Sequence, residues 1–103
     1  MILELAHLDV KANETAAFEM AFQNASPSIA ATRGYISHEL QRCIETPNRY
    51  VLFVQWETLE AHTVGFRQSE RYAEWKKLLH HFYDPFPLVE HYEGVFQFGD
   101  AKN

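Results

Sequence analysis

Cysteine is nearly absent from this chain: Cys43 is the only one in 103 residues, so no intrachain disulfide and no cysteine-based zinc cluster can form. A lone thiol of this kind is expected to be buried, because unpaired cysteine behaves as a small hydrophobe. Basic residues are also scarce, nine Lys and Arg against fourteen Asp and Glu for a formal charge of −5, and they are scattered. A nucleic-acid surface needs clustered cations to displace counterions, so no nucleic-acid partner is expected. Only four glycines occur, and none builds a P-loop, a dinucleotide-binding pattern or a GxSxG elbow. Nucleotide and flavin cofactors are therefore not expected. No apolar run approaches the ~20 residues of a membrane span, so no membrane partner is expected either. The opening Met1-Ile2-Leu3-Glu4 lacks the basic region and cleavage site of a signal peptide, and a cytoplasmic location is the expectation.

What the chain does have is aromatic mass: eight Phe, five Tyr and two Trp, within a composition that is 47% hydrophobic and 22% charged. Such side chains fill cores and interfaces and also wall pockets for flat organic ligands. The length suits one domain, read as residues 1–98 with a tail at 99–103, and is short enough that oligomerisation would add useful burial.

Ile2 to Val10 alternates as a strand does, with Leu3, Leu5, His7 and Asp9 in one row and Ile2, Glu4, Ala6, Leu8 and Val10 in the other. Asn13 reads as the cap of a first helix whose buried stripe is Phe18, Ala21, Phe22 and Ala25, with Ser26-Pro27 interrupting or restarting it and Arg33-Gly34 closing it. Tyr35 to Ile44 and Arg49 to Glu57 form a hairpin about Thr46-Pro47-Asn48. Thr58 and Ser69 cap two further helical patterns, the first with Leu59, His62 or Thr63, and Phe66 inward, the second with Tyr72, Trp75, Leu79 and Phe82. Asp84-Pro85-Phe86-Pro87 stops the last helix, and a final strand runs from about Leu88 to about Phe98. The order predicts an α+β fold, a four-stranded antiparallel sheet with helices on one face. Strand three is apolar in both rows, Val51 and Phe53 against Leu52, Val54 and Trp56, so the helix-free face needs a cover. A second copy packed sheet to sheet supplies one, with Phe53 at the contact and Leu52 and Val54 in the core.

This layout, and especially the stretch from Arg49 to Tyr92 with Gln55-Trp56-Glu57 ending strand three and His80-His81-Phe82-Tyr83-Asp84-Pro85-Phe86-Pro87 leading into strand four, resembles the antibiotic biosynthesis monooxygenase family. The resemblance implies a ferredoxin-like domain pairing as a dimeric α+β barrel. It also implies a polar strand-one residue at a pocket, the place His7 holds. Haem-degrading relatives in the same superfamily use a strand-one asparagine, a tryptophan after strand three and an axial histidine. Here those places hold His7, Phe66 and a residue near Lys76, with His80 one turn on, so haem is disfavoured.

Six histidines invite a metal reading, but no HExxH or two-His-one-carboxylate pattern is present, and the adjacent His80 and His81 point about 100° apart on a helix. No metal site is expected. The function that residues and resemblance favour together is a cofactor-independent monooxygenase acting on a small phenolic or polycyclic aromatic compound. Such chemistry needs a base that titrates near the working pH and a dry pocket. His7, helped by His62, is the expected base, and Trp56, Phe66, Tyr72 and Trp75 are the expected walls. The alternative from another class is a small-molecule-binding or stress-response dimer that keeps the pocket without the chemistry, with haem binding or degradation behind it.

Overall fold

Alternation decides which row of each strand is covered. In the computed structural model, which describes residues 1–99, β1 (Ile2–Asp9) buries Glu4, Ala6 and Leu8, while His7 in the opposite row is exposed. β3 (Arg49–Trp56) likewise buries Tyr50, Leu52, Val54 and Trp56 and leaves Val51, Phe53 and Gln55 half-buried. β1 sits between β3 and β4 (Val89–Glu93), and β2 (Tyr35–Arg42) completes an antiparallel sheet in the order β2-β3-β1-β4. This is the expected ferredoxin-like α+β arrangement.

Helices α1 (Thr15–Ala30) and α2 (Glu70–Leu79) cover the buried row. Phe18, Phe22, Ala25 and Ile29 of α1 meet Trp75 and Leu79 of α2 and the inward side chains of β1 and β3 in one core. The Phe22 and Trp75 rings touch edge to face, with centroids 5.5 Å apart. Trp56 and Val54 are fully buried, so the core lies between sheet and helices, as the parity of strand three predicts. On the helix-free face Leu3, Leu5, Val51 and Phe53 form an apolar band, Leu5 opposite Phe53 and His7 opposite Val51.

Several local expectations are corrected. Asn13 does not cap α1; it takes a left-handed conformation (φ 69°), and the helix begins after Glu14 without a side-chain cap. Asparagine tolerates that conformation better than most residues. Pro27 does not break α1, although it withholds an amide, because burial of Ala25 and Ile29 on either side holds the helix to the sheet. β4 is shorter than predicted, ending at Glu93, and Val95, Phe96 and Phe98 beyond it are exposed. Cys43 is half-buried rather than buried, its Sγ accepting the Thr46 amide at 3.3 Å. The proposed tail lies, from residue 100 onward, outside the described residues.

Between β3 and α2 the chain makes a π-helical segment (Ala61–Phe66), with the Arg67 amide donating to the His62 carbonyl five residues back at 3.1 Å. The Thr58 hydroxyl accepts the Ala61 amide at its start, as the sequence suggests. The wide winding keeps His62 and Phe66, four residues apart, on one buried face. Ser69 caps α2 by accepting the Tyr72 amide, also as expected.

Candidate active site

The row of β1 that faces the helices reads Glu4, Ala6, Leu8, and a carboxylate in that row must find partners or lose its charge. Strand pairing sets His91 of β4 directly opposite Glu4, and Val54 on the other side. Trp56 reaches across from β3, its indole N–H donating to Glu4 Oε1 at 2.9 Å. His62 descends from the π-helical segment, stacked on Trp56 with ring centroids 5.3 Å apart, and sets its Nε2 3.3 Å from the same oxygen. Its Nδ1 lies 2.7 Å from His91 Nε2. Glu4 and His62 are 5% and 3% exposed, so this is a buried polar chain inside an apolar core.

Burial controls the charges. It pushes the Glu4 carboxyl up from 4.5 to about 7, against the Trp56 hydrogen bond and the nearby Arg67 guanidinium, which both favour the anion. It pushes the His62 imidazole down from 6.5 to about 3, with Arg67 and His91 acting in the same direction. His62 and Glu4 would be an ion pair if both were charged, but both are driven toward neutrality, so the 3.3 Å contact is the close approach of a neutral imidazole to the carboxyl and not an ion pair. His91 is lowered too, by burial and then by Arg67.

Oε1 of Glu4 takes the contacts with Trp56 and His62. No buried side-chain oxygen or nitrogen among the described residues lacks a partner. Oε2, which has none in the protein, therefore reaches open space, and the space that Glu4 lines is a cleft of about 420 Å³ between the sheet and α2. Ala6, Leu8 and Leu52 floor it, Tyr72 and Trp75 wall it, and His80, Tyr83 and Phe86 close its far end, with Arg67 at the margin. His80 sits edge to face against Tyr72 and Phe86, and burial lowers its pKa. Burial likewise holds the Tyr83 phenol far above its usual range. The lining offers one carboxyl that titrates near neutrality, one exposed cation and several flat apolar faces.

The structure brings together only part of the expected site. Tyr72 and Trp75 do wall the cleft. Trp56 and Phe66 do not; they are fully buried behind it, in contact with each other, and both pack against His62. His7 is corrected: it lies exposed on the helix-free face, across the sheet from the cleft, because strand alternation sends it with Leu3 and Leu5. Glu4 occupies the position expected of His7. His38, the other strand histidine, is engaged elsewhere, between the Tyr35 hydroxyl and the Ser26 hydroxyl. Among the described residues no group of three or more His, Cys, Asp or Glu is arranged to hold a metal ion.

An antiparallel ferredoxin-like sheet with a cleft under its second helix defines a class of small α+β proteins, and comparison narrows it. Residues 1–78 match the family model described as antibiotic biosynthesis monooxygenase, and the chain belongs to that family. An uncharacterised protein of Bacillus subtilis strain 168, YczJ, is 52% identical over 95 residues, covering 92% of this chain and all of that one. The crystal structure of a putative antibiotic biosynthesis monooxygenase from Bordetella bronchiseptica is 39% identical, covers 92% of this chain and 97% of its own, and superposes with a TM-score of 0.88. A Streptomyces coelicolor monooxygenase from the gene ActVA-Orf6, solved with the ligand nanaomycin D, shares the fold at 18% identity and a TM-score of 0.80, covering 97% of this chain and 92% of that one.

Proposed function

We propose that this chain is a cofactor-independent monooxygenase that oxidises a small phenolic or polycyclic aromatic compound in the Glu4 cleft. One observation carries the reading: a carboxyl with a pKa of about 7 opens into a cleft walled by Tyr72 and Trp75. Family membership supports it, and so does the nanaomycin D ligand of the Streptomyces relative.

Dioxygen in its triplet ground state reacts slowly with closed-shell molecules, so the substrate must first become a good one-electron donor. Glu4 Oε2 takes a proton from an acidic C–H or O–H of the bound aromatic, and the resulting anion passes one electron to dioxygen. Radical and superoxide combine to a peroxide, which regains a proton from Glu4. Loss of water from this hydroperoxide leaves a carbonyl, so that a ring methylene and one dioxygen give a ketone and one water. A base whose pKa lies near the working pH has both the free form and the driving force this requires. Arg67 at the cleft margin favours the substrate anion, and the floor of Ala6, Leu8 and Leu52 gives the ring of the substrate an apolar surface to lie on.

Aerobic incubation with anthrone- or dihydroxynaphthalene-type compounds under oxygen-18-labelled dioxygen, without added flavin or metal, tests the reading. One labelled oxygen in the product and one in water is the expected result. A wild type that binds a broad panel of such compounds and consumes no dioxygen would replace it with the binding-protein alternative.

A further inference from the structure

Two histidines that are not part of the cleft lining lie beyond Glu4. His62 lies behind Glu4 and not in the cleft lining, and His91 lies behind His62 on β4, the edge strand of the sheet. His91 is half-buried and borders a surface depression with Ile2, Leu59 and Glu93. Its Nδ1 has no protein partner and, by the same accounting as for Glu4 Oε2, meets solvent.

We propose that Glu4, His62 and His91 form a proton relay that exchanges the proton of the cleft carboxyl with bulk solvent through paired imidazole tautomers. With Glu4 ionised, the anion draws the His62 Nε2–H onto Oε1 across the 3.3 Å that separates them, and His91 Nε2–H donates to His62 Nδ1. With Glu4 protonated on Oε1, both rings hold the opposite tautomer, His62 accepting at Nε2 and donating from Nδ1, and His91 carrying its hydrogen on Nδ1. Passage from the second state to the first moves three protons one step outward: Oε1 to His62 Nε2, His62 Nδ1 to His91 Nε2, and His91 Nδ1 to water. Three protons shift, one leaves, and no imidazolium forms. A chain of neutral rings fits a position where burial disfavours a charged imidazole. Packing of the His62 ring against Trp56 and Phe66 keeps it in the orientation both states share.

Charged and titratable neighbours fit the scheme. Arg67 is the cation acting on all three members, and its sign favours release of the proton outward. His80, Tyr72 and Tyr83 face Glu4 across the cleft, and Glu93 flanks the outer end near His91. The relay's use rests on the oxygenase reading: a Glu4 that carries its proton on Oε1 when an aromatic substrate fills the cleft can lose it outward, which leaves the carboxylate free to take the substrate's proton on Oε2.

Long-range 1H–15N correlation spectra of the 15N-labelled full chain tell the two ring nitrogens of each histidine apart without any substrate. Across about pH 5.5 to about pH 8.5, bracketing the Glu4 titration, His62 and His91 should exchange their protonated and unprotonated nitrogens together. His38, fixed between Tyr35 and Ser26, should keep one tautomer throughout and serves as the internal control. His91→Phe should leave the chain folded and strip His62 of its coupled switch. One unchanging His62 tautomer over this range, or a His62 imidazolium appearing as Glu4 titrates, would overturn the relay. An enzyme inert toward phenols would defeat the oxygenase reading while leaving these spectra to decide the relay by themselves.

Discussion

Glu4 is a carboxylate in a row otherwise made of Ile2, Ala6, Leu8 and Val10, and its cost to the fold depends on pH. Its folded pKa lies above the unfolded value, so the folded chain holds an extra proton between pH 4.5 and about 7. Its contribution to stability is therefore best below that window, declines as pH rises through it and is level above. A rise from 4.5 to about 7 corresponds to about 3 kcal/mol. Glu4→Gln, which keeps an oxygen for Trp56 and His62, should match the wild type near pH 4.5 and exceed it by up to that amount above pH 7, measured by urea unfolding. The buried histidine works the other way, since His62 is depressed from 6.5 to about 3 and costs stability as pH falls below 6.5. Comparing the variant with the wild type at each pH cancels much of that term. The signal for Glu4 is present in the sequence as a charge in an apolar row. It is masked there because both rows of strand one are half apolar, and because histidine as a residue type titrates nearer neutrality than a carboxylate does.

Strand alternation, the Thr58 and Ser69 caps and the stripe of Tyr72, Trp75 and Leu79 are legible in the sequence because each is a local property of the chain. The π-helical winding is not, since nothing in Ala61 to Phe66 separates it from an ordinary helix turn. The meeting of His62 with His91 is not legible either; it follows from the register that sets His91 opposite Glu4, a long-range fact. The start of that segment is pinned by Gly34, which has φ 90° and would place any Cβ 2.6 Å from that of Ala61. Gly34→Ala should destabilise the fold by about 1–3 kcal/mol, from backbone strain and the clash together. Adding Ala61→Gly should recover the clash part and leave the strain, which a double-mutant cycle by thermal unfolding separates.

At the scale of the whole molecule, the helix-free face of the sheet carries Leu3, Leu5, Val51 and Phe53, and we propose that a second copy covers it. Phe53→Asp should shift the sedimentation of a dimer to that of a monomer, because a carboxylate buried without a partner is costly. Unchanged sedimentation would mean the face is covered otherwise. The cleft lies on the opposite side of the sheet from this face, so loss of pairing and loss of chemistry are separable. The central claim is that Glu4, and not His7, is the base of an oxygenase, and it meets its most direct test in the pH dependence of kcat/KM for dioxygen uptake with an anthrone. The wild type should rise with pH and level off above about 7, His7→Ala should follow the same curve, and Glu4→Gln should fall by about 10²- to 10⁴-fold. Equal rates for Glu4→Gln and wild type, or a loss confined to His7→Ala, would contradict the account.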